Sequence, residues 1–176
     1  MVKSKMRSIL RAIDKISYWS GKIVSFLIIP LTLVICYTII MRKFFSSAPD
    51  WGFEVPIFLY GIGIMIAGAE VLRVNGHISV DVIPRLLPAK AQVILKIFSS
   101  TIIIIVCLFM AWQGYNSALS STLINEHSSH QSSFNPPIWW FRWFIPLSAI
   151  LVLLQAIRQL ANEILELLGK ENEDVT

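Results

Sequence analysis

Ile23-Val24-Ser25-Phe26-Leu27-Ile28-Ile29-Pro30-Leu31-Thr32-Leu33-Val34-Ile35-Cys36-Tyr37-Thr38-Ile39-Ile40-Met41 runs for 19 residues without a charge. At about 1.5 Å of rise per residue, a helix of that length crosses roughly 30 Å of hydrocarbon. Working outward, three more segments share this character. Phe53 to Leu72 has Glu54 and Glu70 near its ends, Val93 to Trp112 has Lys96 in its first turn, and Ile138 to Ile157 has Arg142 in its second. None alternates polar and apolar residues as a membrane barrel strand does. Of the 176 residues, 55% are hydrophobic and 15% charged, against about 25% charged in an ordinary soluble domain. Mean hydropathy is +0.66. Disorder is excluded by the apolar content, and a disulfide scaffold by a count of two cysteines. A net charge of +4, unevenly spread, gives no footprint for nucleic acid. The chain reads as one all-α membrane domain over residues 1–176, with four transmembrane helices near 23–41, 53–72, 93–112 and 138–157.

The first segment exceeds the usual apolar stretch of a signal peptide and is followed by Arg42 and Lys43 without a small-residue cleavage site. It is expected to be retained. Orientation follows from Lys and Arg near the span ends. Twelve lie in the N-terminal region, the 73–92 loop with its edges, and the C-terminal region; three, Arg42, Lys43 and Arg142, lie on the other side. The bias puts both termini and the 73–92 loop in the cytoplasm and the loops 42–52 and 113–137 outside. Around residues 5–20, Ile9, Leu10, Ile13 and Ile16 recur at helical spacing opposite Arg7, Arg11, Asp14 and Lys15. This spacing predicts a basic amphipathic helix on the lipid of the inner leaflet. Ile157, Leu160, Ala161, Ile164, Leu165 and Leu168 continue the apolar period beyond the fourth span. They predict a C-terminal helical extension with Gly169 as its stop.

Candidate chemistry is sparse. His77, His127 and His130 all lie in loops, away from positions where a haem would be ligated inside a bundle. Cys36 and Cys107 are isolated in apolar runs and read as small buried hydrophobes. Glu126-His127-Ser128-Ser129-His130 reads as a solvated loop rather than a metal site. No cofactor, metal or catalytic residue is expected. Every charge in a span sits within about two turns of its end, whereas a complete transporter places broken helices around a midplane site. The chain reads as a scaffold that needs a partner.

Gly61 and Gly68 share one face of the second span, and Gly63 and Ala67 form a small-xxx-small pair. Such faces let helix backbones approach closely in lipid. A subunit interface and packing within the bundle are both open for them. Glu54 and Arg142 each begin a span that enters from the outside, so an ion pair between them is expected at similar depth. Around Arg142, Trp139-Trp140-Phe141-Arg142-Trp143-Phe144 reads as an aromatic belt.

The chain resembles the DctQ family, the small membrane subunit of tripartite ATP-independent periplasmic (TRAP) transporters. The resemblance rests on four spans with both ends inside, on Trp51-Gly52-Phe53-Glu54, on Arg73-Val74-Asn75-Gly76-His77-Ile78-Ser79-Val80-Asp81, and on Pro136-Pro137-Ile138-Trp139-Trp140. It covers roughly residues 20–160. Family members often have two adjacent acidic residues after the Trp; here Phe53 takes the first place. The resemblance implies a bacterial inner-membrane subunit that forms a heterodimer with a large permease subunit. The permease moves organic acids by sodium symport, and a periplasmic substrate-binding protein docks on the outer face. It also implies that Arg73, Gly76, His77 and Asp81 shape an interface rather than bind substrate. Two other classes remain in view, a membrane anchor for a redox enzyme and a self-sufficient small oligomeric transporter.

The charge bias makes a direct prediction. Single cysteines at position 77 should resist a membrane-impermeant thiol reagent added to intact spheroplasts, and cysteines at 50 and 126 should react. Labelling of position 77 from outside would reverse the topology.

Overall fold

The structure, a computed structural model, describes residues 2–47, 49–74, 88–128 and 134–173. Six α-helices follow in chain order: α1 (Val2–Ser25), α2 (Ile28–Phe44), α3 (Glu54–Arg73), α4 (Ala89–Leu123), α5 (Trp139–Arg142) and α6 (Phe144–Glu173), with a 3-10 turn at Asp50–Gly52 before α3. Four segments are long and apolar enough to cross a membrane: Leu10–Phe44, Asp50–Arg73, Ala91–Leu123 and Trp139–Leu165. The all-α, four-span architecture read from the sequence is therefore the architecture of the chain.

The boundaries differ in ways that packing explains. α1 continues past residue 20 into the first apolar run, and the helix breaks at Phe26–Leu27 instead. Pro30 has no N–H to give the carbonyl four residues back, which is that of Phe26. That carbonyl takes the N–H of Ile29 at 3.2 Å. α4 runs to Leu123, so residues 113–123, expected as loop, are helix. Hydropathy falls there, but Gly114, Ala118 and Ser121 are buried. α6 passes Gly169 to end at Glu173. The extension is thus the same helix as the fourth span, and Gly169 does not stop it.

The spans form a row rather than a closed square. α4 packs along α6, α6 along α3, and α3 along α2, while α1 lies across α3 and α6. The α4–α6 contact is the most extensive and follows a heptad. On α4 the buried residues Val93, Ser100, Cys107, Gly114 and Ser121 recur every seven residues, with Ala118 between the last two. On α6, Ala149, Ala156 and Glu163 do the same. Spacing of 3.5 residues keeps one face on a neighbour along a left-handed pair. The helices are antiparallel: Ser100 meets Glu163, and Gly114 meets Ile145 and Pro146.

Outward faces are apolar. Ile105, Phe109 and Trp112 of α4 are each at least 60% exposed, as suits helices whose solvent is lipid. α2 has no buried residue at all. Its far end is tied down by Tyr37 stacked on Trp51 at 5.8 Å, and by Thr38 against Gly52.

Two glycines give opposite predictions. A Cβ at Gly114 would lie 2.9 Å from Ile145 Cγ2 and 3.2 Å from the backbone N of Pro146. A Cβ at Gly63 would lie 3.8 Å from Val24 Cγ1, an ordinary contact. Gly114→Ala should therefore destabilise the fold by about 1–3 kcal/mol through overpacking. Gly63→Ala should be neutral or gain up to roughly 1 kcal/mol from helix propensity. Thermal unfolding in detergent measures both, and a loss at Gly63 as large as that at Gly114 would contradict the seam.

Candidate functional site

The polar side chains inside the row gather at its two ends. At the end carrying the N-terminal helix, Asp14, Ser17, Gly21 and Val24 line the inward face of α1 at spacings of three and four. Ser17 Oγ donates to Gln155 Oε1 at 3.0 Å, Gln155 Nε2 donates to Asp14 Oδ1 at 3.2 Å, and Arg158 Nη2 donates to Asp14 Oδ2 at 2.7 Å. Ser17 and Gln155 are both 1% exposed. Two turns on, Glu163 is 5% exposed, and its oxygens accept from Ser100 Oγ at 2.8 Å and Gln159 Nε2 at 3.1 Å. The apolar stripe of the C-terminal extension points the other way: Ile157, Ile164 and Leu165 are each more than 40% exposed. In this half of α6, Gln155 and Glu163 are inside with Ala156, while Ile157, Ile164 and Leu165 are outside.

Arg73 closes the same end. It donates twice to Glu70, from Nε at 2.6 Å and Nη2 at 2.7 Å, and lies 5.5 Å from the centre of the Tyr18 ring. Gly21 allows this corner to form, because a Cβ there would sit 2.6 Å from two carbons of Glu70. Gly76, His77 and Asp81 lie outside the described residues, as does His130.

At the opposite end the expected Glu54–Arg142 pair is divided. Arg142 reaches Glu126, with Nη2 and Oε1 2.5 Å apart, and also donates to Ser117 Oγ at 3.1 Å. Glu54, 2% exposed, accepts from Ser128 Oγ at 2.7 Å. Lateral position decides the partner. The segment after α4 returns beneath α5, held by Ser128 N to Pro136 O and Ile138 N to Glu126 O, both 2.9 Å. That return brings Glu126 to Arg142 and Ser128 to Glu54. Asn125 and Asn135 make the bends at positive φ, 48° and 32°, where Asn is tolerated. His127 Nδ1 lies 3.0 Å from the Asn135 carbonyl, so its ring is engaged within the loop.

The small-residue face of α3 turns inward. Gly61 sits under Phe141, where a Cβ would be 2.6 Å from Cζ, and Gly68 faces Val152 of α6. Gly63 faces Val24 of α1. Ala67 is half-buried. Within the chain, these three glycines thus stand against Phe141, Val152 and Val24. Phe58 adds to the same contact, its ring 5.2 Å from both Trp140 and Phe141. The aromatic cluster is thus partly a wedge between α3 and α5.

Most of the buried polar side chains described are thus hydrogen-bonded within the chain. The family model for the DctQ component of tripartite ATP-independent periplasmic transporters matches residues 31–166. The chain belongs to the DctQ family. It is accordingly a component of a TRAP transporter, the small permease subunit that partners with a large one, and its family is not one of enzymes. No curated protein matches the chain. The matched stretch of this DctQ chain takes in α2, α3, α4, α5 and most of α6, and leaves out α1.

Sequence reasoning missed Glu163 with Ser100, and Asp14 with Gln155 and Arg158. The available signal was the seven-residue recurrence of small and polar residues along α4 and α6, which hydropathy averages away.

The geometry around Arg142 predicts a coupling. In a double-mutant cycle, Arg142→Ala and Glu126→Ala should show an interaction of roughly 1 kcal/mol or more, since the pair is partly buried. Arg142→Ala and Glu54→Ala should be additive within about 0.5 kcal/mol. Thermal unfolding of the three single and two double variants decides between them.

Proposed function

We propose that this DctQ chain is an accessory scaffold in the inner membrane. It would hold a large permease subunit, as a heterodimer, in sodium-coupled and binding-protein-dependent uptake of organic acids. One observation carries the reading: the buried polar side chains described lie toward the two ends of the row, and Ser17, Glu54, Ser100, Gln155 and Glu163 among them are hydrogen-bonded to other side chains of this chain. Between those ends the α4–α6 seam holds Cys107, Gly114 and Ala149. An ion or substrate path built by this chain would need ionisable groups turned toward a midplane cavity.

The end with α1 would face the cytoplasm, following the charge bias. The outer loops would lie where a periplasmic binding protein arrives. The partner surface falls most naturally on α2. It is an edge of the row, has no buried residue, and exposes Leu33 by 65% and Ile39 by 57%. Thr32 and Cys36, four apart and both exposed, would allow a neighbouring helix to approach. Arg73, Gly76, His77 and Asp81 would contribute to the contact with the large subunit rather than bind substrate.

Co-expression tests this. The chain should co-purify one to one with the large subunit, and Thr32→Trp with Cys36→Trp should reduce recovery of the complex while the chain itself still folds. Proteoliposomes holding both subunits should accumulate an organic acid only with a sodium gradient and the binding protein. Flux from this chain alone would overturn the accessory role, and a haem or flavin absorbance in the purified chain would favour a redox anchor.

A further inference from the structure

Between α1 and α6 lies an open cavity of about 440 Å³ lined by Leu10, Arg11, Asp14 and Arg158. We infer that it holds the phosphate of an anionic phospholipid headgroup. Arg11 and Arg158 against Asp14 leave the lining with a formal charge of +1, and exposed Lys15 beside it on α1 adds a second positive charge. The one carboxylate is already committed, to Arg158 at 2.7 Å and to Gln155 at 3.2 Å. Arg158 is incompletely used. Its Nη2 is on Asp14, its Nε is buried with no acceptor among the described residues, and its side chain is 27% exposed. A guanidinium engaged at Nη2 still offers the donors of Nη1, which can take a phosphate oxygen without giving up the ion pair.

The surroundings point to a lipid rather than a dissolved anion. Apolar side chains stand exposed on both helices that form the walls. On α6 they are Ile157, Ile164 and Leu165, and on α1 they are Ile16 and Trp19, the last 49% exposed. Lys22 lies 5.5 Å from the Trp19 ring, a pairing of cation and indole that suits headgroup depth. A phosphate seated in the cavity would thus have its acyl chains against surfaces that the chain itself leaves uncovered. A basic pocket between membrane helices at the headgroup level is a recognised form of lipid site. The inference concerns α1 and α6 alone and does not depend on the proposed place of the large subunit.

Native mass spectrometry of the full chain tests it, using phosphatidylglycerol, phosphatidylcholine and inorganic phosphate as probes. Phosphatidylglycerol should remain bound through a detergent wash that strips phosphatidylcholine, and inorganic phosphate should not bind. Arg11→Gln and Arg158→Lys should each weaken retention roughly tenfold, the loss expected for one charge-assisted hydrogen bond. Arg158→Lys preserves the charge opposite Asp14, and an unchanged melting temperature would show that the fold is kept. Lys43→Gln, an exposed cation at the opposite end, should change nothing. Equal retention by the wild type and both arginine variants would overturn the site. So would phosphate binding as tightly as phosphatidylglycerol, which would make it a free-anion site. Displacement of the lipid on co-expression with the large subunit would assign the cavity to an acidic segment of that subunit, and would overturn the inference as well.

Discussion

The seam between α4 and α6 is the contact on which the rest of the row depends. Lipid tails are as apolar as leucine, so hydrophobicity does not draw one membrane helix to another. Close approach and hydrogen bonds must do it. The seam supplies both, through Ser100, Cys107, Gly114 and Ala118 on one helix and Ala149, Ala156 and Glu163 on the other. α3 then docks on the paired helices through Gly61 and Gly68, and α1 docks across α3 and α6 through Ser17 and Gly21.

Polarity is turned inside out along the α1 end of the row. Burying an unpaired carboxylate or amide is expensive, because its lost contacts with water are not replaced. Glu163 and Gln155 escape that cost through hydrogen bonds, Glu163 accepting from Ser100 and Gln159, and Gln155 accepting from Ser17 and donating to Asp14. The same bonds fix rotation. Turning α6 by one residue would expose Gln155 and Glu163 to lipid and bury Ile157 and Ile164, so the network specifies which face looks inward. This is register control more than net stabilisation, since buried polar pairs contribute modestly to stability.

α2 follows a different rule. It leaves α1 at the Phe26–Leu27 break and is held at its far end by Tyr37 on Trp51 and Thr38 on Gly52. Between those anchors little of it is covered by the chain. A helix fixed at both ends and bare between them keeps a defined surface without spending it on internal packing. That suits a subunit whose role is to present a face to a larger partner.

The sequence by itself determined the number of spans, the all-α class and the family, because span length and apolar content are local properties and the Trp51-Gly52 and Asn75-Gly76-His77 stretches are contiguous. Even the break near Pro30 was local, arising from one missing N–H. What the tertiary structure decided is everything that depends on lateral neighbours. Glu54 and Arg142 each stand near the start of a span, yet only the tertiary structure sets Glu126 beside Arg142 and Ser128 beside Glu54. The small residues of α3 are legible as a face, and only the tertiary structure sets Phe141 and Val152 of the same chain against it. The apolar period of α6 is legible in the sequence, but the direction it faces is not. With lipid outside, the same pattern puts Gln155 and Glu163 within, and that inversion follows from the solvent, which a residue period does not encode.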